Sequence, residues 1–426
     1  MSTGAHDSRS LSRLRRFFSQ LGPGLITGAA DDDPSGIATY SVAGASLGYG
    51  TLWTALFSFP LMVAVQLMCA RLGMVTGRGL AAVARGRYSR GVLWGACLLL
   101  TVANTVNIGA DLGGMADATR MVLGGNALVW TPIYALVIVG LLFFSSYRSM
   151  ARIFKWLTTV LFAYVITAFL AQPNWEQVLR DTVVPNVHFT REYLSVLVGI
   201  LGTSISPYLF FWQAAEEVEE ERSMGRTTLG QRKGATDREL RHCRNDVVAG
   251  MFYSNIVMYF IILTTAATLH AHGITQIETA SQAAEALRPL AGKGAYWLFT
   301  LGLIGTGMLG VPVLAGSSAY AIAEAMAWGG SLDRKPKVMP KFYGVLAAAM
   351  AIGLGLNYIG LNAVKMLFWS AVCNGVLAPP LIVLIVLLTS DPKVMGDRVN
   401  PAWLRYMGWL AAGVMTAAAV GMFLAG

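Results

Sequence analysis

Apolar stretches of about 20 residues recur from Leu21 to Leu424, and no other feature narrows the possible folds as far. Each is long enough to cross a hydrocarbon core about 30 Å thick. Eleven spans are expected, near 21–45, 50–73, 91–116, 130–146, 153–171, 193–215, 246–269, 297–325, 342–357, 361–389 and 402–425. A lipid-exposed backbone must satisfy its own hydrogen bonds, and segments of this length do so as α-helices. An all-α polytopic membrane protein follows. Charged residues make up only 13% of the 426, against about 25% in soluble proteins, which excludes an ordinary soluble enzyme.

The formal net charge of +9 does not indicate a nucleic-acid partner. The basic residues sit between spans and form no stripe with interleaved aromatics. Most of them fall in the N-terminal tail and in the loops near 74–90, 147–155, 216–245, 326–341 and 390–405. The positive-inside rule places those segments, and the N-terminus, in the cytoplasm. An odd number of spans then puts the C-terminus outside the cytoplasmic membrane. Cys69, Cys97, Cys243 and Cys373 lack CxxC or Cys/His spacing, so neither a disulfide framework nor a zinc site is expected. The first span has no small-residue cleavage site in the usual place, and no cleaved signal peptide is expected. No obligate protein partner is indicated; the lipid bilayer is.

Two spans do not read as plain helices. Span 1 carries Asp31, Asp32 and Asp33 followed by Pro34, Ser35 and Gly36 at mid-membrane depth, and span 6 carries Ser206, Pro207 and Tyr208. Each proline removes a donor and clashes with the preceding turn, so breaks are expected at Pro34–Ser35 and Pro207–Tyr208. Unwound backbone at membrane depth is tolerated only where it lines a cavity or is buried in protein. Spans 1 and 6 open two possible five-span units, and because five is odd the second enters from the opposite side. That is the arrangement of an inverted-repeat transporter. The chain divides accordingly into a tail (1–20), a first repeat (21–171), an external loop (172–192), a second repeat (193–389), and a final loop with the eleventh helix (390–426).

Three carboxylates cannot all sit charged in hydrocarbon. On a helix turning 100° per residue they face different ways. Asp33, beside the break, is the expected ion ligand, with Asp31 and Asp32 lining a vestibule or carrying protons. Carboxylate plus backbone and hydroxyl oxygens suits a hard or intermediate divalent cation. Span 6 offers the Thr203 carbonyl and the hydroxyls of Thr203, Ser204 and Ser206, but no thioether, thiol or imidazole at its break. Ser206 could equally bond an earlier carbonyl at a kink. Span 3 places Asn104, Asn107 and Asp111 near one stripe, and Asp111 is a pathway or proton-relay candidate. Asp117 lies nearer the external end, where solvation is the simpler reading. Glu324 lies near the inner end of span 8, Asn374 is a polar candidate in span 10, and Lys365 reads as a snorkelling or paired side chain. The 216–245 connection reads as a solvated cytoplasmic loop, with Glu216 and Glu217 at an inner mouth. The Gly-rich pieces of spans 3 and 8 lack a nucleotide-binding context and read as close helix packing.

The segment GPGLITGAADDDPSGIATYSVAGASLGYGTLW, followed by QLMCARLGMVTGRGLA, resembles the first two spans of the Nramp family of divalent metal transporters. The resemblance implies a LeuT-like fold with metal held between broken helices 1 and 6 and moved by alternating access, usually with proton coupling. The family's Asp-Pro-Gly-Asn is Asp33-Pro34-Ser35-Gly36 here, so Gly36 stands where a ligand asparagine is usual. Its Met-Pro-His is Ser206-Pro207-Tyr208, and its alanine carbonyl falls on Thr203. The helix-3 acid pair corresponds to Asp111 and Gly114. These losses resemble the divergent Nramp-related magnesium transporters, in which a polar cavity accepts a partly hydrated ion. The expected activity is secondary transport of magnesium, and manganese with it, without a bound cofactor and without enzymatic chemistry. The alternatives are a classical proton-coupled manganese or iron importer and an ion-coupled organic solute transporter of the same fold.

Overall fold

A computed structural model describes residues 22–144 and 159–425. The N-terminal tail, the 147–155 loop and the start of span 5 lie outside the described residues. Among the described residues every regular element is helical, and nine helices are long and apolar enough to cross a membrane. Span 1 is absent from those nine because it is two short helices, α1 (Pro23–Asp31) and α2 (Pro34–Leu47). The described part of span 5 is the apolar segment Thr159–Leu170.

The remaining elements follow in chain order: α3 (Trp53–Thr76), α4 (Leu80–Arg87), α5 (Arg90–Leu123), α6 (Ala127–Phe144), α7 (Phe162–Leu170), α8 (Trp175–Val183), α9 (Arg191–Ser204) and α10 (Pro207–Ser223). Beyond them lie α11 (Asp237–Thr268), α12 (Ala280–Glu285), α13 (Ala295–Ala325), α14 (Pro340–Leu356), α15 (Ala363–Thr389) and α16 (Ala402–Leu424). Span 6 is thus α9 plus α10, and α16 is the helix after the second repeat.

The prolines start helices rather than occupy the gaps. Pro34 and Pro207 are the first residues of α2 and α10, where a missing N–H costs nothing because that donor would be an orphan. The residues between helices are Asp32–Asp33 and Ile205–Ser206, so the breaks lie ahead of the expected Pro34–Ser35 and Pro207–Tyr208. A second correction concerns 216–245. It is not one solvated loop: α10 runs on to Ser223, α11 begins at Asp237, and Glu216, Glu217, Glu219 and Glu221 are buried. An N-terminal capping box, Thr236 with Glu239, sets the early start of α11. Likewise α5 extends to Leu123, and the 172–192 loop contains α8, capped by Asn174.

The broken helix sits deep because glycines allow backbone contact. A Cβ on Gly28 of α1 would lie 2.2 Å from the Gly250 carbonyl of α11. Such a contact leaves no room for any side chain. At the N-terminal end of α1, Asp246 of α11 accepts from the amides of Gly22 (2.9 Å), Gly24 (2.7 Å) and Leu25 (3.3 Å). A carboxylate from the second repeat therefore serves as the N-terminal cap that α1 lacks in its own sequence.

Candidate functional site

Asp33 is fully buried and caps α2. Its Oδ1 accepts from the Gly36 amide and the Ser35 hydroxyl, each at 2.8 Å. Its Oδ2 accepts from Asn107 Nδ2 of α5 at 2.9 Å and from the Tyr208 hydroxyl of α10 at 3.4 Å. Asn107 is held in turn by Ser370 of α15, whose hydroxyl donates to Asn107 Oδ1 at 2.7 Å. Spans 1, 3 and 6 thus place donors on one carboxylate, and span 10 supports the span-3 donor.

Asp111 faces the same helix end. Its Oδ1 accepts from the Ser35 amide at 3.2 Å, and its Oδ2 has no hydrogen-bond partner among the described residues. Two carboxylates therefore share the positive N-terminus of α2, which favours negative charge there. Asp31 and Asp32 have the opposite placement. They lie at the negative C-terminal end of α1 and share a single donor, the Ser254 hydroxyl of α11, at 2.5 Å and 3.2 Å. One oxygen of each has no partner among the described residues. Asp31 and Asp32 thus share one neighbourhood and Asp33 has another, and the break at Asp32–Asp33 rather than the 100° helical turn separates them.

At the span-6 break Pro207 cannot donate to the Thr203 carbonyl four residues earlier. Ser206 fills that role: its hydroxyl donates to Thr203 O at 2.6 Å and to Gly202 O at 2.8 Å. The corresponding orphan in span 1 is the Ala30 carbonyl, four residues before Pro34, and the Tyr208 hydroxyl supplies it at 3.1 Å. Gly36 lies against span 6, and a Cβ added to it would meet Thr203 Oγ1 at 2.9 Å. A larger residue at 36 is thus incompatible with the Thr203 hydroxyl in this position. Asn374 is buried on α15 with neither side-chain polar atom hydrogen-bonded among the described residues.

Other sequence candidates lie elsewhere. Glu324 accepts from the Ala82 amide at 3.1 Å and caps α4. Asp117 bonds Arg120 and accepts weakly from the Ala280 amide at 3.5 Å. Lys365 is exposed, 3.8 Å from Glu278. Glu217 bonds Gln213 at 2.9 Å inside α10 rather than standing at an open mouth. Sequence reasoning missed Ser254 and the hydroxyl of Tyr208 as partners of the acids, Ser370 as the partner of Asn107, and Asp246 as the cap of α1. It also missed Met258, whose sulfur accepts from Ser204 at 3.4 Å beside the break. Nothing in the local pattern of α11 or α15 marks these positions. Among the described residues no three His, Cys, Asp or Glu side chains form a ready metal cluster.

Comparisons with known proteins agree with this geometry. The chain is 25% identical over 416 residues to a divalent metal cation transporter MntH of Brucella suis, covering 96% of this chain and 88% of that one. It is 28% identical over 412 residues to the MntH of Xylella fastidiosa, covering 94% and 84%. Its fold is similar to the crystal structure of the Eremococcus coleocola manganese transporter, with a TM-score of 0.76, 19% identity, and coverage of 96% and 87%. The family model described as natural resistance-associated macrophage protein-like matches residues 24–425, so the chain belongs to the Nramp family and has its LeuT-like, inverted-repeat fold with discontinuous helices 1 and 6.

Proposed function

We propose that this protein transports divalent metal cations across the cytoplasmic membrane by alternating access, with Asp33 as the central charged ligand. The observation that carries this reading is the convergence of donors from spans 1, 3 and 6, the span-3 donor held by span 10, on one buried carboxylate at a helix break. Members of this family are transporters rather than enzymes. Thr203 would contribute its carbonyl after release of the Ser206 hydroxyl, and Ser206 and Asn374 would contribute polar contacts. Gly36 contributes space for the close approach of α2 to Thr203 rather than a donor. A cytoplasmic N-terminus and an external C-terminus are supported by the charge distribution of the loops.

The likeness to a solved manganese transporter supports manganese as cargo ahead of the magnesium expected from the sequence. The hydrogen-bond partners of Asp33 among the described residues include no sulfur or imidazole, which supports magnesium as a further cargo, since a hard cation that keeps several waters needs neither. Asp111, with one free carboxylate oxygen beside the break, supports the proton-coupled form of the manganese reading. Asp31 and Asp32 remain candidates for the same role or for the vestibule.

The test is uptake by purified protein in sealed liposomes, comparing manganese, magnesium and calcium while luminal pH is recorded. Saturable manganese flux is expected, and magnesium that competes with it marks the oxygen-lined site as permissive. Luminal acidification in step with manganese assigns proton coupling. Absence of saturable flux for all three ions overturns the proposal.

A further inference from the structure

The loop between α15 and α16 closes one side of a cavity of about 440 Å³ against α3 and the start of α11. Four guanidinium groups line it: Arg71 from α3, Arg241 and Arg244 from α11, and Arg398 from the loop. Asp237 and Asp397 also line it, and Asp237 is consumed by an ion pair with Arg398. The remaining balance is three guanidinium groups against one carboxylate. Arg71 is fixed in place, donating to the carbonyls of Arg398 (2.9 Å) and Val399 (3.3 Å), while its Nε is buried without a hydrogen-bond partner among the described residues. Arg241 and Arg244 are exposed, lie three residues apart on one face of α11, and form no ion pair among the described residues.

The opposite wall is apolar. Leu67 and Leu404 are buried there, and Trp403 stands half exposed at the edge. Trp403 begins a row of outward-facing aromatics on α16 that continues through Tyr406 and Trp409, the arrangement that marks the headgroup level of a bilayer. The cavity therefore presents arginines without a carboxylate partner among the described residues, next to apolar side chains that lead toward the outward-facing aromatics of α16. The geometry points to a binding site for an anionic glycerophospholipid, its phosphate held by Arg71, Arg241 and Arg244 and its chains leaving along α16 past Trp403. Basic pockets between membrane helices take such headgroups. Because Arg244 lies two residues before Asp246, an occupied site braces the end of α11 that caps α1.

The experiment is native mass spectrometry of the delipidated full-length protein, titrated with dioleoylphosphatidylglycerol or dioleoylphosphatidylcholine. The phosphatidylglycerol is retained more strongly by the parent protein. The double substitution R241Q/R244Q weakens its retention about 25-fold, or about fivefold per guanidinium. R241Q alone gives the intermediate value, and both arginines are exposed, so thermal unfolding of the lipid-free variants matches the parent. K335Q/K337Q, altered on a loop that does not line the cavity, retains the parent's preference. Equal retention of the two lipids, unchanged binding by the double variant, or equal loss in the loop variant overturns the assignment. Displacement of the lipid by millimolar inorganic phosphate overturns it as well, by making the site one for free anions.

Discussion

The two broken helices share a backbone and differ in chemistry. The first residue of each break has a similar ψ, with φ −84° and ψ 54° at Asp32 and φ −120° and ψ 62° at Ile205. Each is followed by an extended residue and a proline that opens the next helix. Each proline also orphans one carbonyl, at Ala30 and at Thr203. In span 1 that carbonyl is served from another span, by Tyr208, and the extended residue is an acid that gathers donors from spans 1, 3 and 6. In span 6 the carbonyl is served locally by the extended residue itself, Ser206. Span 1 therefore carries the charge and the long-range connections, while span 6 carries a neutral, self-satisfied break that can release a carbonyl oxygen cheaply.

The largest effect should come from the acid. Asp33→Ala removes the cation's charged partner and leaves the Asn107 amide without its acceptor, and an unsatisfied buried polar group costs about 1–3 kcal/mol. Metal uptake in liposomes is expected to fall at least about 100-fold, the equivalent of about 2.7 kcal/mol, with membrane insertion unchanged. Asp33→Asn keeps an acceptor for the Gly36 amide and should be better folded yet as inactive. Uptake within twofold of the parent in either variant would end the distinction between the two breaks.

An intermediate effect is expected from Asp246→Ala, which tests whether span 1 depends on distant partners. Removing a cap costs about 0.5–2 kcal/mol, and this one holds three amides at once. Hydrogen exchange of the Gly24 and Leu25 amides should accelerate by up to about 30-fold, the equivalent of about 2 kcal/mol, while α2 is unaffected. Asp246→Asn should fall between. Exchange unchanged at those amides would show that glycine packing against α11 alone docks α1.

The unequal reach of the two breaks also explains how much was legible beforehand. Spans, breaks and the choice of Asp33 follow from local rules: apolar length, a proline with no N–H, and an acid at a helix start. Ser35 and Pro34 were expected inside the gap, but a proline is most comfortable as a first helical residue, which moves the gap onto Asp32–Asp33. The shell around Asp33 was only partly legible. Asn107 stood out because it shares a stripe with Asp111, whereas Ser370, Ser254 and Asp246 are ordinary polar residues whose importance comes from packing more than 200 residues away in sequence. The buried glutamates after Ala215 were misread for a different reason. A run of acids looks solvated, yet α10 simply continues and pairs Glu219 with Arg222 and Ser331.

The smallest effect should come from Ser206→Ala, and its smallness is the sharper test. The substitution removes one hydroxyl that serves two carbonyls, a loss of about 1 kcal/mol for a neutral hydrogen bond. The Thr203 carbonyl loses its competing donor and becomes more available to an arriving cation, so the stability loss and the gain in ligand availability act against each other. Uptake should remain within about threefold of the parent, since 0.6–0.7 kcal/mol corresponds to about that factor, while the apparent affinity for metal is unchanged or slightly tighter. A loss comparable to that of Asp33→Ala would mean that the serine oxygen is itself a required ligand, and that charge and coordination are divided between the two breaks rather than concentrated in span 1.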